Sequence, residues 1–148
     1  MSCNTFLKIA TTCKEEFVCV HVSNEEFTGN LKNSEPYIYD LIRRIPEETN
    51  MLDNSLRLVF FEAVGLIISS QQNVEEKTKH LGDALKRYLE EWTIVLTEWR
   101  STRDMRLLLD ENSLENIGFF LKLNERMAFS VGPYYEYILR KFKRNKNF

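Results

Sequence analysis

Residues 58–68 read Leu-Val-Phe-Phe-Glu-Ala-Val-Gly-Leu-Ile-Ile, and Glu62 is the only charge among them. Arranged as a helix, this segment is apolar on two opposite faces. One face carries Leu56, Phe60, Ala63, Val64 and Ile67, and the other carries Leu58, Phe61, Leu66 and Ile68. A helix that is apolar on both sides must be covered on both sides. We therefore predict that it is sandwiched between earlier and later helices, which favours a stack over a closed bundle.

The totals favour one all-α unit that spans residues 1–148. A chain of 148 residues can bury one sizeable core, and its 43% hydrophobic and 28% charged residues are ordinary for a folded protein. Five glycines and three prolines are too few for a turn-rich β protein. The net charge of -2 argues against a nucleic-acid binder that neutralises many phosphates.

Apolar spacing predicts about six helices and no strand. The second helix is capped by Asn33 or Ser34, has Pro36 in its first turn, and ends at Pro46. The third is capped by Asn54 or Ser55. Gly82 allows a kink in the fourth. Residues 21–34 are predicted to be a loop insertion. The six predicted helices cover residues 2–13, 36–45, 55–68, 74–100, 114–131 and 134–144.

Two of these helices also resemble each other. Ser55-Leu56 and Phe60-Phe61 are echoed by Ser113-Leu114 and Phe119-Phe120, at an offset of 58 to 59 residues. This spacing exceeds the ~40–47 residues typical of HEAT or armadillo units. The echo nevertheless fits an α-α superhelix, a solenoid built from antiparallel helix pairs.

The cysteines indicate a reducing compartment. Cys3, Cys13 and Cys19 are odd in number and include no Cys-x-x-Cys pair, so we interpret them as buried thiols rather than disulfides or zinc ligands. No secretory leader or membrane-spanning apolar run is recognisable. We expect a cytosolic or nuclear location without membrane insertion.

No enzyme motif is present, so we expect neither catalysis nor a cofactor. His21 and His80 are the only histidines, and neither has a neighbouring nucleophile in the sequence. Glu75, Glu76 and His80 lack the spacing of a carboxylate metal bundle and are interpreted as a solvated face.

Four further features have packing interpretations. Glu62 is expected to find a cation, either Arg57 or a lysine of a neighbouring helix, and Gly65 to lie where a neighbouring helix approaches closely. Trp92 and Trp99 are expected to pack in the core or between repeats. Three tyrosines of the sixth helix are assigned to packing as well: Tyr134, Tyr135 and Tyr137.

A basic tail keeps an alternative function open. It could contact nucleic acid or an acidic protein, although cations at a helix C-terminus also complement the helix dipole. Its cations are Arg140, Lys141, Lys143, Arg144 and Lys146, with Phe142 and Phe148 interleaved. An unrelated α-helical scaffold subunit is the other alternative.

Several blocks of the sequence resemble a known family. Residues 3–10, Cys-Asn-Thr-Phe-Leu-Lys-Ile-Ala, with Cys13 following, and residues 61–65, Phe-Glu-Ala-Val-Gly, closely resemble successive inner helices of the major nuclear exportins. These belong to the karyopherin/importin-β superfamily and are receptors for leucine-rich export signals. Fainter matches continue along the chain, at Trp92, Ile94, Asp110, Leu114, Gly118, Leu121, Lys122, Asn124, Arg126, Val131 and Gly132.

The resemblance covers nearly the whole chain and implies an internal segment of a HEAT-repeat ring, with helices in the order inner, outer, inner, outer, inner, outer. It implies cargo proteins with leucine-rich signals, Ran-GTP, nuclear pore proteins and the remainder of the exportin chain as partners, and shuttling between nucleus and cytoplasm. Residues 21–34 look longer than the family pattern.

The resemblance also implies that the export-signal groove lies just before Met1. The groove cysteine that covalent inhibitors attack therefore has no counterpart in Cys3, Cys13 or Cys19, and no binding residue is assigned. A solenoid segment would expose apolar ends, so we expect self-association of the isolated chain.

Overall fold

A computed structural model describes residues 2–19, 21–23, 32–34, 36–104 and 106–132. The described helices are α1 (Cys3–Cys13), α2 (Tyr37–Asn50), α3 (Asn54–Ser69), α4 (Val74–Thr102), α5 (Arg106–Leu109) and α6 (Glu111–Val131). Two short strands, β1 (His21–Ser23) and β2 (Lys32–Ser34), pair antiparallel, with His21 opposite Ser34. The five long helices confirm the all-α prediction, whereas the four-residue helix α5 was not predicted.

Three helices, α1, α3 and α6, form one layer and run parallel. The rings of Phe6 and Phe60 stack at 5.4 Å, and further along the same two helices Ser70 donates to the Lys14 carbonyl at 3.1 Å. Contacts between α3 and α6 also follow the same order along both helices, so these two helices are parallel as well. Near their starts Asn54 donates to Glu115 at 3.1 Å.

The second layer contains α2 and α4, which are also parallel to each other. Near the start of both helices, the Tyr39 hydroxyl of α2 donates to Glu76 of α4 at 3.4 Å. Further along both helices, Arg87 of α4 donates to Asn50 of α2 at 2.8 Å. Between the layers, consecutive helices run antiparallel. Lys77 at the start of α4 donates to the Ser69 carbonyl at the end of α3, at 2.9 Å. This arrangement confirms the predicted solenoid of antiparallel helix pairs.

The core is centred on α3, as its two-sided apolar pattern predicts. Five of its side chains have no exposed area: Phe61, Ala63, Val64, Ile67 and Ile68. Helix α3 packs against α1 on one side and α6 on the other, while Tyr88 of α4 meets Phe61 edge-on at 5.4 Å between ring centroids. The sandwich prediction is confirmed.

The caps differ from the predicted ones by a few residues. Asp53 caps α3 by accepting a hydrogen bond from the Leu56 amide at 2.9 Å, so the predicted caps Asn54 and Ser55 are wrong. Helix α2 begins at Tyr37, after Pro36, without a side-chain cap. Asn33 and Ser34 cannot cap it, because both lie in β2 and pair with β1. Asp110 caps α6 by accepting a hydrogen bond from the Ser113 amide at 3.1 Å.

The predicted end of α2 at Pro46 is wrong, because the helix continues to Asn50. Proline lacks the amide that would bond to the carbonyl four residues earlier, which ordinarily breaks a helix. Here two side-chain hydrogen bonds hold the following turn, one within α2 and one from α3. Thr49 is buried and donates to the Ile45 carbonyl at 2.7 Å, and its own carbonyl accepts from Arg57 of α3 at 3.0 Å.

The remaining differences concern connections. The predicted loop over residues 21–34 has paired strands at its two ends, and the residues between them lie outside the described part. Helix α4 passes through Gly82 without interruption. The predicted sixth helix, residues 134–144, also lies outside the described residues.

Candidate protein-interaction surfaces

The interface between α3 and α6 depends on a small residue at Gly65. A Cβ built there would lie 2.1 Å from the Ser130 hydroxyl oxygen, far closer than any side chain tolerates. The backbones can approach this closely only because Gly65 has no side chain. The prediction that a neighbouring helix approaches at Gly65 is therefore confirmed, and α6 is that helix.

An ion pair also crosses this interface. Arg126 of α6 donates to the Glu62 carboxylate at 2.9 Å, and the Glu62 side chain is 20% exposed. The predicted partner, Arg57, is wrong. Its guanidinium instead donates to the Thr49 carbonyl at the end of α2 and to the Asn54 side chain. Glu62 is thus a partly buried structural carboxylate that links two neighbouring helices of one layer.

A buried polar group lies where α3 turns into α4. His80 is 1% exposed, its Nδ1 atom pairs with the Gln71 amide, and its ring meets Tyr39 edge-on at 4.7 Å. Within the described part of the chain its Nε2 atom has no hydrogen-bond partner. Burial lowers the pKa of His80 below its ordinary value. The interpretation as a solvated face is therefore wrong for His80, whereas Glu75 and Glu76 are exposed as predicted.

Beside it, Lys77 packs its side chain inward while its ammonium donates to the Ser69 carbonyl at 2.9 Å, and burial lowers its pKa. This contact satisfies one of the last carbonyls of α3, which have no partner within the helix, and places a cation at its C-terminal end. The connection between α3 and α4 is therefore fixed by two buried polar side chains. Sequence reasoning missed both, because only the packing of α2 and α3 around α4 encloses them.

A cleft of about 290 Å³ opens between α4, α6 and the start of α3. Both apolar and polar side chains line it. Aromatic rings from both helices form its floor, where Trp92 stacks on Phe120 at 5.0 Å between ring centroids. Polar groups line its rim, including Arg87, whose guanidinium bonds to Glu91 at 2.9 Å. Such a cleft suits an apolar side chain flanked by polar atoms. The stacking supports the packing interpretation of Trp92.

Among the described residues, the side of α6 that is turned away from α3 is a second exposed surface. Leu114, Leu121 and Phe129 lie away from α3 and are 49%, 60% and 84% exposed. The sequence placed Leu114 and Leu121 in an apolar helix but could not show which side of that helix remains open. In the described structure the opposite side of α6 fills the core, with Leu123 and Met127 fully buried.

Chemically reactive groups are dispersed over the described residues. Cys3 is buried, but Cys13 and Cys19 are exposed, so the prediction of buried thiols is wrong for two of the three. Within residues 2–19, 21–23, 32–34, 36–104 and 106–132 no three potential metal ligands cluster. None of the helices in this part is both long and apolar enough to cross a bilayer. The basic tail and the tyrosines 134, 135 and 137 lie outside the described residues.

The comparisons with known proteins agree with the resemblance. No family model matches the chain. The chain is 25% identical over 135 residues to Protein EXPORTIN 1B of Arabidopsis thaliana and 26% identical over 132 residues to Exportin-1 of Schizosaccharomyces pombe. It is also 27% identical over 131 residues to Exportin-1 of Dictyostelium discoideum. These alignments cover 88–91% of this chain but only 11–12% of each relative, so the chain spans about a ninth of their length.

Proposed function

We propose that this chain acts as a solenoid segment of a nuclear export receptor that carries cargo with leucine-rich export signals, together with Ran-GTP, through the nuclear pore. Its partners are then the remainder of the receptor, cargo, Ran-GTP and pore proteins, and its location alternates between nucleus and cytoplasm. The observation that carries the proposal is the similarity to three exportin-1 proteins over about nine tenths of the chain.

The architecture supports a scaffold role within such a receptor. In a repeat array each helix of a layer packs between two neighbouring helices of that layer. The parallel stacking of α1, α3 and α6, with α3 in the middle, follows this pattern. The close approach at Gly65 and the ion pair at Glu62 fix how one repeat sits on the next. A segment of this kind transmits shape along a solenoid and adjoins the cargo groove, without itself forming the groove.

A chimera tests the transport role. The matching segment of Exportin-1 from Schizosaccharomyces pombe is replaced by this chain, and nuclear export of a reporter with a leucine-rich signal is measured. We expect export to be retained. The matched control carries Gly65→Leu, which separates α6 from α3 and should abolish export. A soluble, helical chimera that fails to export the reporter would contradict the proposal.

A binding measurement tests the proposed division of labour. The isolated chain should not bind a fluorescent leucine-rich export-signal peptide if it supports the groove without forming it, as we propose. Fluorescence anisotropy with an intact exportin-1 as positive control measures this. Saturable micromolar binding that is lost when the peptide's leucines are replaced by alanine would show that the groove lies within these residues.

A further inference from the structure

The cleft between α4, α6 and the start of α3 contains a cation that forms no ion pair within the described part of the chain. Arg57 is half-buried and lines this cleft. Its Nε atom donates to the Thr49 carbonyl at 3.0 Å, and its Nη1 atom reaches the Asn54 side chain only at 3.5 Å. Both acceptors are neutral. A partly buried guanidinium gains more from a carboxylate, which accepts two parallel hydrogen bonds from it.

The other polar groups leave the cleft with an excess of positive charge. Arg87 lies at the rim, where it bonds to Asn50 of α2 at 2.8 Å and to Glu91 at 2.9 Å. Among the described residues that line the cleft, Glu91 carries the only negative charge, and Arg87 already engages it. The lining therefore carries two cations and one anion, which favours a ligand with a carboxylate.

The floor of the cleft is apolar. Trp92 stacks on Phe120 at 5.0 Å between ring centroids, and Val95 and Ile117 also line the cleft. These four side chains are half-buried. A volume of about 290 Å³ is small for a ligand site, so the cleft accommodates one large side chain rather than a whole peptide.

The position of the cleft separates it from the surfaces on which further repeats stack. Arg87 lines it and bonds to Asn50, so the cleft lies on the side of α4 that faces α2. Asn54 lines it and bonds to Glu115, so it also lies on the side of α6 that faces α3. In the proposed array the next helices follow on the opposite sides of α4 and α6.

We propose that this cleft binds an acidic segment of a partner protein, in which one large apolar side chain fills the floor and a neighbouring carboxylate pairs with Arg57. The apolar side chain removes the rings of Trp92 and Phe120 from water, which supplies affinity. The carboxylate supplies specificity, because a neutral segment would leave the guanidinium without a counter-charge. The interaction does not depend on the transport role.

Titration of the full chain by two-dimensional NMR tests the proposal with three short peptides whose ends are acetylated and amidated. The acidic apolar probe is Gly-Asp-Phe-Asp-Gly. Gly-Asn-Phe-Asn-Gly keeps the ring without the charge, and Gly-Asp-Ala-Asp-Gly keeps the charge without the ring. The first peptide should bind about tenfold or more tightly than either of the others. It should shift the Arg57 Nε and Trp92 indole signals.

Two asparagine variants test the charge recognition without touching the core. Asn116 is exposed and lines the cleft, so Asn116→Asp adds a carboxylate there and should weaken binding of the acidic peptide by about tenfold. The matched control is Asn112→Asp, the same change at an exposed position of α6 outside the lining. It should leave the dissociation constant unchanged.

Arg57→Gln removes the cation itself and should also weaken binding of the acidic peptide by about tenfold, with no effect on the neutral one. Glutamine keeps a donor for the Thr49 carbonyl, and circular dichroism verifies that the variant keeps its helix content. Four results would each overturn the proposal: binding of no peptide, equal binding of the acidic and neutral peptides, shifts confined to residues outside the cleft, or equal effects of Asn116→Asp and Asn112→Asp.

Discussion

Gly65 of α3 and Ser130 of α6 are in contact across the two helices, and Ser130 is held in place by its own helix. The Ser130 hydroxyl donates to the Arg126 carbonyl at 2.7 Å, and its Cβ atom would lie 3.0 Å from a Cβ at position 65. Rotation of the hydroxyl therefore relieves only part of the collision. The glycine and the serine together set the distance between two neighbouring repeats.

Gly65→Ala should destabilise the protein despite the better helix propensity of alanine. Alanine gains about 1 kcal/mol over glycine in a helix, but overpacking of a close contact costs about 1–3 kcal/mol. We expect a net loss of about 1 kcal/mol in the free energy of unfolding, measured by urea denaturation of dilute protein. Gly118→Ala is the matched control. It meets open space, so it should stabilise by about 0.5–1 kcal/mol. Equal stabilisation by both substitutions would refute the close contact.

Phe60→Ala should cost about 3–5 kcal/mol in the free energy of unfolding. Phe60 is buried, stacks on Phe6 at 5.4 Å, and meets Phe61 edge-on at 5.8 Å, so its removal leaves a cavity between α1 and α3. Chemical denaturation checks this. The control, Phe129→Ala at dilute concentration, removes an exposed ring and should change stability by less than about 0.5 kcal/mol. A loss near zero at Phe60 would exclude its placement between the helices.

The long helices could be predicted because the apolar spacing that indicates a helix lies within the helix itself. Apolar spacing alone locates α1, α3, α4 and α6, and the predicted end of α6 at residue 131 is confirmed. The same rules placed the end of α2 at Pro46. That prediction failed because what holds the next turn is Arg57, eight residues beyond Thr49 and on another helix. A tertiary contact outweighed a local breaking signal.

The candidate surfaces were harder to predict, since they depend on which helix covers which. Glu62 was recognised as a carboxylate in need of a cation, but its partner Arg126 is 64 residues away. His80 appeared to belong to a polar helix side, and only Tyr39 of α2 and Gln71 enclose it. The sequence therefore identified the unusual environment of Glu62 but not that of His80, and the partners of both residues follow only from the packed layers.

The ion pair between Glu62 and Arg126 should contribute modestly to stability. One partner is half exposed, and pairs of this kind are typically worth about 0.2–1 kcal/mol. A double-mutant cycle with Glu62→Gln and Arg126→Met should give a coupling energy in the upper half of that range. The exposed pair Arg87–Glu91 within α4 is the control and should couple more weakly, because both of its side chains are about half exposed. Added salt should reduce the control coupling more strongly. A coupling energy of zero at Glu62 would show that the pair is not formed in solution.

His80 should make the protein less stable as the pH falls from neutral. Burial holds the pKa of the folded-state imidazole below the ordinary 6.5; the positive charge of Lys79 lowers this pKa further, and the negative charges of Glu76 and Asp83 oppose the shift to a smaller extent. Below pH ~6.5 the unfolded chain therefore binds a proton that the folded chain resists, so the free energy of unfolding declines by up to about 1.4 kcal/mol per pH unit. The decline ends once the folded imidazole is also protonated. The carboxyl groups of Asp53 and Asp104, whose pKa values are lowered below 3.8, affect the free energy of unfolding only at more acidic pH.

Urea denaturation at several pH values between about 5 and 8 measures this slope. His80→Gln is the informative comparison, because glutamine keeps a polar group beside Gln71 without titrating. The variant should lose most of the pH dependence in this window and keep it at lower pH. His21 is present in both proteins, so its contribution cancels in the difference between them. An unchanged slope in the variant would mean that the imidazole is not enclosed by α2 and Gln71 as the structure has it.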